Sequence, residues 1–260
     1  MSEGRPVRGQ VEICGCFPTG RHYPGIADRL SKSRRMADVR GLAKTLPPEM
    51  DWATGAFAVI DFETTGFDPS EGDRVLEMGI VTFDDGIQSG SHNWLINPTI
   101  PVPEAAQAVH GISDEMLADK PRFEEVWKDI RPHLEGRLPV AYNAPFDKKF
   151  LLAELERMGE DLYDEKAPPA AQSAVEWADP LVWVRELYPD QKAKLGAICE
   201  HLGISLEGAH RAANDAEATG KVLLTMADRM PGSYAELIRV QTRYGAQQNV
   251  DMAIWRGRRF

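Results

Sequence analysis

Two carboxylates, Asp61 and Glu63, stand at the end of a short apolar run. They follow residues 56–60 (AFAVI), a stretch typical of a buried strand. Because side chains two residues apart share one face of a strand, the two carboxylates point the same way. Carboxylates at the end of a buried strand are costly unless a cation or water compensates them. The pair is a candidate metal site, although such pairs are more commonly solvated strand ends.

Two later segments carry chemistry of the same kind. Asn143 and Pro145 fit the start of a helix, and this places Asp147 in its first turn. His210 precedes Asp215 by five residues, which is more than one helical turn, so we expect the histidine in the loop that enters a helix. Each segment also has an ordinary explanation, because first-turn acids complement the helix dipole and single histidines are often surface residues.

The three segments together resemble a known family. Residues 61–66 (DFETTG), 143–147 (NAPFD) and 210–215 (HRAAND) match, in order and separation, the three motifs of DEDDh-type, DnaQ-like 3′→5′ exonucleases. Residues 109–113 (VHGIS) look like the segment that connects the first two motifs. The resemblance covers about residues 56–230. One departure is Tyr142, where many members of the family carry histidine.

The resemblance implies a metal-dependent active site. Asp61 would bridge two Mg²⁺ or Mn²⁺ ions, Glu63 and Asp215 would complete the site that holds the attacking water, and Asp147 would support the second ion through water. His210 would be the general base, for which a pKa near 6.5 is suitable. Ligands that are all oxygen favour these hard cations over zinc.

Substrate contacts are also expected around these motifs. The turn after Asp61 is expected to offer backbone N–H groups to the 3′-terminal nucleotide. The expected contact residues are Phe62, Thr64, Thr65, His110, Ile112, Asn143 and Phe146.

The spacing of apolar residues and turn signals predicts the elements that would position these side chains. The predicted strands are 56–61, 75–83, 90–96, 138–142 and 173–178. The predicted helices are 31–46, 104–118, 122–134, 145–158, 180–187, 191–202 and 210–229. Adjacent strands followed by alternating helices and strands indicate an α/β fold with helices on both faces of a mixed sheet. The resemblance implies the same fold, the five-stranded mixed sheet of ribonuclease H-like proteins.

Charge is distributed unevenly along the 260 residues, whose formal net charge is −10. Residues 1–50 are net +4, residues 231–260 are net +3, and the region between them is net −17. An acidic centre repels phosphate unless divalent cations intervene. We predict a basic N-terminal arm or accessory segment (1–50), an exonuclease domain (51–230) and a basic C-terminal extension (231–260).

Composition excludes several other classes of protein. There is no apolar run of about 20 residues and no apolar signal region after Met1, so we expect a cytoplasmic protein without a membrane span. Three cysteines are too few for a disulfide framework. Cys14 and Cys16 could form half of a zinc site, but no second ligand pair follows at a suitable spacing.

Three functions compete at this point. The first is a DNA exonuclease with a role in proofreading, similar to the epsilon subunit of DNA polymerase III, with any polymerase as a separate partner. The second is an RNA exonuclease similar to ribonuclease T or oligoribonuclease, since the catalytic residues do not read the 2′-hydroxyl. The third is a binding module that has lost catalysis. Among the remaining residues, Asp179 is expected to cap a helix, Trp177 to lie in the core, and Glu77 to face solvent.

Overall fold

A four-stranded mixed sheet forms the centre of the computed structural model, which describes residues 39–206, 208 and 210–257. Its strands lie in the order β3-β2-β1-β4. The strands are β1 (Phe57–Thr64), β2 (Val75–Asp84), β3 (Ile87–Leu95) and β4 (Leu138–Val140). β2 pairs antiparallel with both β1 and β3, whereas β4 pairs parallel with β1. The predicted α/β class and mixed sheet are confirmed.

The fifth predicted strand, 173–178, is reduced to one bridge between Val140 and Ala178. The backbone of this segment is engaged elsewhere: the Glu176 N–H donates to the Gly41 carbonyl at 2.8 Å. In addition, Val175 N–H closes a turn onto the carbonyl of Gln172. A segment whose donors are used in this way cannot continue a sheet ladder, so the strand ends after a single pair.

Helices cover both faces of the sheet. They are α1 (Glu104–His110), α2 (Asp114–Leu117), α3 (Phe123–Ile130), α4 (Ala144–Met158), α5 (Pro180–Leu187), α6 (Leu195–Leu202), α7 (Ala212–Thr225) and α8 (Tyr234–Gly257). Short 3-10 turns occupy Pro69–Glu71, Arg131–His133, Pro169–Ala171 and Ala227–Arg229.

Two predicted helices differ from the observed ones at residues with left-handed backbone. The predicted helix 104–118 is divided after α1, because Gly111 has a φ of +74° and ends the first helix. The predicted helix 210–229 starts later, at Ala212, because His210 has a φ of +66°. Of the predicted helix 31–46, residues 39–46 form turns instead, and the rest lies outside the described residues.

Alternation along β1 and β2 divides the core into two layers. Ala58, Ile60 and Phe62 point into a layer shared with α3 and α4. Phe57 and Val59 point into the opposite layer, which is shared with α7 and α8. On this second face the apolar side chains give way to carboxylates toward the end of β1, so the sheet itself brings acidic groups beside α7.

The chain on either side of the central fold is joined by specific contacts. The hydroxyl of Tyr234, a fully buried residue at the start of α8, accepts a 2.9 Å hydrogen bond from Ala43 N–H. The indole N–H of Trp52 donates to the Pro231 carbonyl at 2.6 Å. Residues 1–38 and 258–260, which include Cys14 and Cys16, lie outside the described residues, and the divisions at 50/51 and 230/231 stay predictions.

None of the helices within the described residues is long and apolar enough to cross a membrane.

Candidate active site

Cross-strand pairing places the first two carboxylates on the face that α7 covers. In the ladder between β1 and β2, Asp61 lies opposite Gly79 and Glu63 lies opposite Glu77. Opposed residues of an antiparallel pair share a face, so all four positions face α7. Since Gly79 has no side chain, the start of α7 can approach Asp61 closely. The prediction that Asp61 and Glu63 project together agrees with this arrangement.

Asp147 reaches the same region from the first turn of α4. β4 ends at Val140, and beyond that end the Asp147 Oδ1 accepts a 3.1 Å hydrogen bond from Phe62 N–H. The Asp147 side chain is 3% exposed. The carboxylate therefore occupies the edge of β1 that β4 leaves open, next to Asp61.

Asp215 and His210 come from the start of α7 and the loop before it. The backbone N–H of His210 donates to Asp215 Oδ2 at 3.1 Å, which holds the loop against the helix. His210 is exposed and has a left-handed backbone, an uncommon conformation for a residue with a side chain. One ligand atom each of Glu63, His210 and Asp215 lies within 4.8 Å of the others. The structure therefore brings the residues of all three motifs together.

Electrostatics at this cluster favour protonated carboxyls in the absence of cations. Burial, followed by the charges of Asp147, Asp215 and Glu63, raises the pKa of Asp61 well above its usual value. Burial and the Asp215 charge raise the pKa of Glu63 to about 7. Burial also raises the pKa of Asp147 and Asp215, although hydrogen bonds from Phe62 N–H and His210 N–H act in the opposite direction. Four acids that hinder one another's ionisation form a site for positive charge.

The donor set at this cluster fits divalent cations. Asp215 Oδ1 is buried and has no hydrogen-bond partner among the described residues, an arrangement that costs free energy unless another group compensates it. Asp61, Glu63 and Asp147 supply further carboxylate oxygens, which are the ligands that Mg²⁺ and Mn²⁺ prefer. A cation bound here would satisfy the orphaned oxygen and relieve the repulsion among the carboxylates.

The turn after β1 is fixed by its own side chains. The Thr64 hydroxyl donates to the Gly66 carbonyl at 2.6 Å, and the Thr65 hydroxyl donates to Asp73 at 3.0 Å. Thr65 N–H, which was expected to face substrate, donates instead to the Arg74 carbonyl at 2.9 Å. The backbone of Thr65 is therefore unavailable to a nucleotide.

An aromatic ring that the sequence analysis did not single out lies on this turn. Phe67 is 84% exposed, and the Lys149 ammonium donates to its carbonyl. An exposed aromatic side chain beside a candidate nucleic-acid site is suited to stacking on a base. Its exposure is visible only in the structure, because a Gly-Phe-Asp-Pro sequence gives no indication of where the ring points.

The other expected substrate contacts divide into core and surface residues. The side chains of Phe62 and Ile112 lie in the core, 5% and 1% exposed, and so cannot reach a bound nucleotide without rearrangement. Asn143 is exposed at the start of α4, and its N–H donates to Asp179 at 2.9 Å. Phe146 is half-buried, with its ring 5.0 Å from that of Phe150.

His110 ends α1 close to the cluster. Its Nδ1 accepts a 3.0 Å hydrogen bond from Ile112 N–H, and its buried Nε2 has no hydrogen-bond partner in the part of the chain that the structure describes. Burial lowers its pKa, while the charge of Glu77 and the backbone of Thr64 act in the opposite direction. Because Nδ1 already accepts a hydrogen bond, Nε2 is the ring nitrogen that a ligand could contact.

Glu77 was expected to face solvent, and this expectation is wrong. Its side chain is fully buried and pairs with Arg211 at 2.6 Å. The position of Glu77, an acid in an otherwise apolar strand, could have indicated a buried side chain. Its partner Arg211, however, is distant in the sequence. The expectations for Asp179 and Trp177 are confirmed: Asp179 accepts from Leu181 N–H at the start of α5, and Trp177 is 2% exposed in the core.

Comparison with known families adds to this geometry. The family model described as Exonuclease (RNase_T) matches residues 58–223. The chain is 31% identical to the DNA polymerase III epsilon subunit of Rickettsia prowazekii, over 65% of this chain and 72% of that protein. It is 35% identical to the PolC-type DNA polymerase III of Clostridium perfringens over 64% of this chain. That match covers only 11% of the polymerase.

Solved structures share the fold at lower identity. Exonuclease X in complex with 5′ overhanging duplex DNA superposes with a TM-score of 0.54 and 24% identity, covering 71% of this chain and 99% of that one. The nuclease domain of 3′hExo, a DEDDh family member bound to rAMP, gives a TM-score of 0.56 and 16% identity, covering 69% and 95%. These similarities confirm the ribonuclease H-like fold that the sequence predicts.

Proposed function

This chain belongs to the RNase_T exonuclease family and is a 3′→5′ exonuclease, and from that premise we propose that it hydrolyses DNA with two divalent metal ions. The observation that carries the mechanism is the convergence of Asp61, Glu63, Asp147 and Asp215 beside an exposed histidine. One buried carboxylate oxygen of this group has no hydrogen-bond partner within residues 39–206, 208 and 210–257. The products would be nucleoside 5′-monophosphates.

The four carboxylates would hold the metal ions. Asp61, Glu63 and Asp215 lie on the face between the sheet and α7, and Asp147 lies at the open edge of β1. When bound by these carboxylates, two Mg²⁺ or Mn²⁺ ions would supply positive charge for the scissile phosphate and would lower the pKa of the attacking water. The pKa values raised by burial and crowding mean that metal binding competes with protons, so we expect weaker metal binding as pH falls.

His210 would act as the general base. Its imidazole is exposed beside Glu63 and Asp215, with an atom of each group within 4.8 Å of the others. A ring nitrogen in this position can accept the proton of the attacking water while the carboxylates remain ligands. The hydrogen bond from His210 N–H to Asp215 fixes the loop at one end, which limits the positions that the ring can adopt.

The surrounding residues would hold the 3′-terminal nucleotide. Phe67 and Phe146 offer aromatic surface, and Asn143 is exposed at the start of α4. The unpartnered Nε2 of His110 offers one polar contact near the turn that ends β1. Phe62 and Ile112 are buried, and the hydroxyls of Thr64 and Thr65 already form hydrogen bonds within the protein. These four residues would therefore support the nucleotide-binding surface without touching the base.

DNA is the substrate that the relatives favour. Two relatives above 30% identity carry the names PolC-type DNA polymerase III and DNA polymerase III epsilon subunit. By the same comparison we propose a separate polymerase as a partner and proofreading as a role. RNA is the second candidate, because a structural neighbour with the same fold binds rAMP.

A product assay distinguishes these substrates. Single-stranded DNA, duplex DNA and RNA of matched sequence, each labelled at the 5′ end, would be incubated with the protein and Mn²⁺ or Mg²⁺. We expect stepwise shortening from the 3′ end, with the highest kcat/KM on single-stranded DNA. A higher kcat/KM on RNA would overturn the DNA assignment, and release of a labelled 5′ mononucleotide at the first step would overturn the polarity.

A further inference from the structure

Glu77 is a fifth carboxylate at the active site whose oxygens are both engaged. Oε1 accepts hydrogen bonds from Arg211 Nη2 at 2.6 Å and from Asn93 Nδ2 at 2.7 Å. Oε2 accepts from Ala212 N–H at 3.2 Å, and Arg211 Nε approaches both oxygens, at 3.1 and 3.3 Å. Asp215 differs, because no other described residue forms a hydrogen bond with its buried Oδ1. Glu77 is therefore occupied by the protein itself and is not available as a metal ligand.

The groups that Glu77 binds form the start of α7. Ala212 is the first residue of this helix, and Arg211 at the N-cap position makes no side-chain capping bond. The first N–H groups of a helix have no partner within the helix, so a carboxylate from elsewhere can cap them. Glu77 supplies that carboxylate from the neighbouring strand, where it also complements the positive end of the helix dipole.

The same backbone carries the catalytic residues of the third motif. Asp215 N–H donates to the Arg211 carbonyl at 3.1 Å, and His210 is the residue immediately before Arg211. His210 N–H in turn donates to the Asp215 carboxylate. A displacement of Arg211 would therefore move His210 and Asp215 together.

Gly79 gives an independent indication that this junction is close and specific. A Cβ at Gly79 would overlap the backbone of Ala212 and Ala213. Gly79 lies two residues after Glu77 on β2 and directly opposite Asp61. At the contact between β2 and the start of α7, Glu77 thus supplies a carboxylate, and Gly79 leaves space for the helix backbone.

We propose that Glu77 is a positioning residue, which acts through Arg211 and Ala212 to hold His210 and Asp215 in register with Asp61 and Glu63. This role rests on the proposed function of the site. Unlike the metal ligands, Glu77 affects the reaction only by fixing where the start of α7 lies on the sheet. Catalysis depends steeply on such placement, since a displacement of about 1 Å can cost on the order of 100-fold in rate.

The test compares Glu77→Gln with Asp84→Asn in the full chain. Asp84 is a matched control, because it lies on the same strand and pairs with Arg137 at 2.8 Å, but at the opposite end from the site. For Glu77→Gln we expect kcat on single-stranded DNA to fall on the order of 10- to 100-fold, with KM within about twofold of wild type. Asp84→Asn should keep the wild-type kcat.

Hydrogen exchange of the metal-free proteins provides a readout that does not need activity. We expect faster amide exchange across residues 210–216 in Glu77→Gln and wild-type exchange there in Asp84→Asn. If the wild-type protein degrades no nucleic acid, the proposed function fails, yet exchange still tests whether Glu77 holds this segment. Wild-type kcat in Glu77→Gln, measured well below its unfolding temperature, would refute the positioning role even if stability is reduced.

A second variant covers the case in which Glu77→Gln does not fold. The Arg211 side chain is 47% exposed, so Arg211→Lys removes the two-nitrogen contact with Glu77 without creating a cavity. Lysine keeps the charge but offers a single nitrogen. We expect a several-fold loss of kcat and partly accelerated exchange at 210–216, and an unchanged kcat in this variant would contradict the proposal.

Discussion

Replacing Glu63 by glutamine should stabilise the metal-free protein at and above neutral pH. Burial, together with the charges of Asp215 and Glu77, raises the pKa of Glu63 from 4.5 to about 7. In the unfolded chain the same carboxyl ionises near its ordinary pKa of 4.5. Ionisation of Glu63 therefore destabilises the folded protein relative to the unfolded chain. This loss of stability is absent below pH 4.5, grows between pH 4.5 and 7, and is complete above pH 7. Glutamine has a similar shape and no charge, so it should remove this effect.

The size of the effect follows from the pKa of Glu63. A change from 4.5 to about 7 corresponds to about 3.5 kcal/mol in the free energy of unfolding, since each tenfold change in a proton-binding constant is worth about 1.4 kcal/mol. For a protein of this size, 1 kcal/mol moves Tm by about 2–4 °C, so Glu63→Gln should raise Tm by about 7–14 °C at pH 8.

Thermal unfolding in EDTA measures this effect directly. The Tm values of wild type and Glu63→Gln would be compared at pH 5 and pH 8. The difference between the two proteins at each pH removes the contribution of titratable groups that both contain. The control is Glu200→Gln, which changes an exposed glutamate on α6 and should have little effect at either pH. Saturating Mn²⁺ should reverse the order, because wild type gains binding free energy that the variant lacks. A Glu63→Gln protein no more stable than wild type at pH 8 in EDTA would refute the reasoning.

Two further substitutions test the general base and the packing of α7. His210→Ala should keep Mn²⁺ binding, because the carboxylates remain, but lose about 10²- to 10⁴-fold in kcat; a wild-type kcat would exclude the general-base role. Gly220→Ala should lower the free energy of unfolding by about 1–3 kcal/mol, because the added Cβ would overlap the Phe83 ring and approach Val59. Denaturant unfolding measures this loss, and an unchanged midpoint would show that the helix can shift at no cost.

Sequence patterns predicted the parts of the fold whose causes are local. The apolar runs of β1 and β2 mark two strands of the sheet. The Asp85-Gly86 turn, with φ of +53° and +73°, joins β2 to β3 in the kind of hairpin that these residue types favour. The segment 173–178 was overestimated as a strand, because its composition permits a strand while its hydrogen bonds go to Gly41 and to its own turn. Competition of that kind depends on tertiary contacts that no local pattern records.

In the candidate site, as in the fold, the sequence predicted the features that depend on local spacing and missed those that depend on tertiary contacts. Strand periodicity predicts that Asp61 and Glu63 share one face of β1. The five-residue spacing to Asp215 predicts that His210 lies in the loop before the helix. Glu77 was missed because its partner, Arg211, lies 134 residues away and only the packing of α7 on β2 joins them. Likewise, the burial of Ile112 among Leu76 and Val102 depends on how α1 and α2 return to the sheet.

The most direct test of the account is the nuclease activity of Asp61→Ala. Wild type and variant would be incubated with 5′-labelled single-stranded DNA and Mn²⁺, with matched reactions in EDTA and a circular dichroism melt of each protein. The account predicts stepwise 3′ shortening by wild type, no shortening in EDTA, and no shortening by an Asp61→Ala protein that remains folded. Wild-type degradation by the folded variant, or by wild type in EDTA, would contradict a reaction carried out by this carboxylate site.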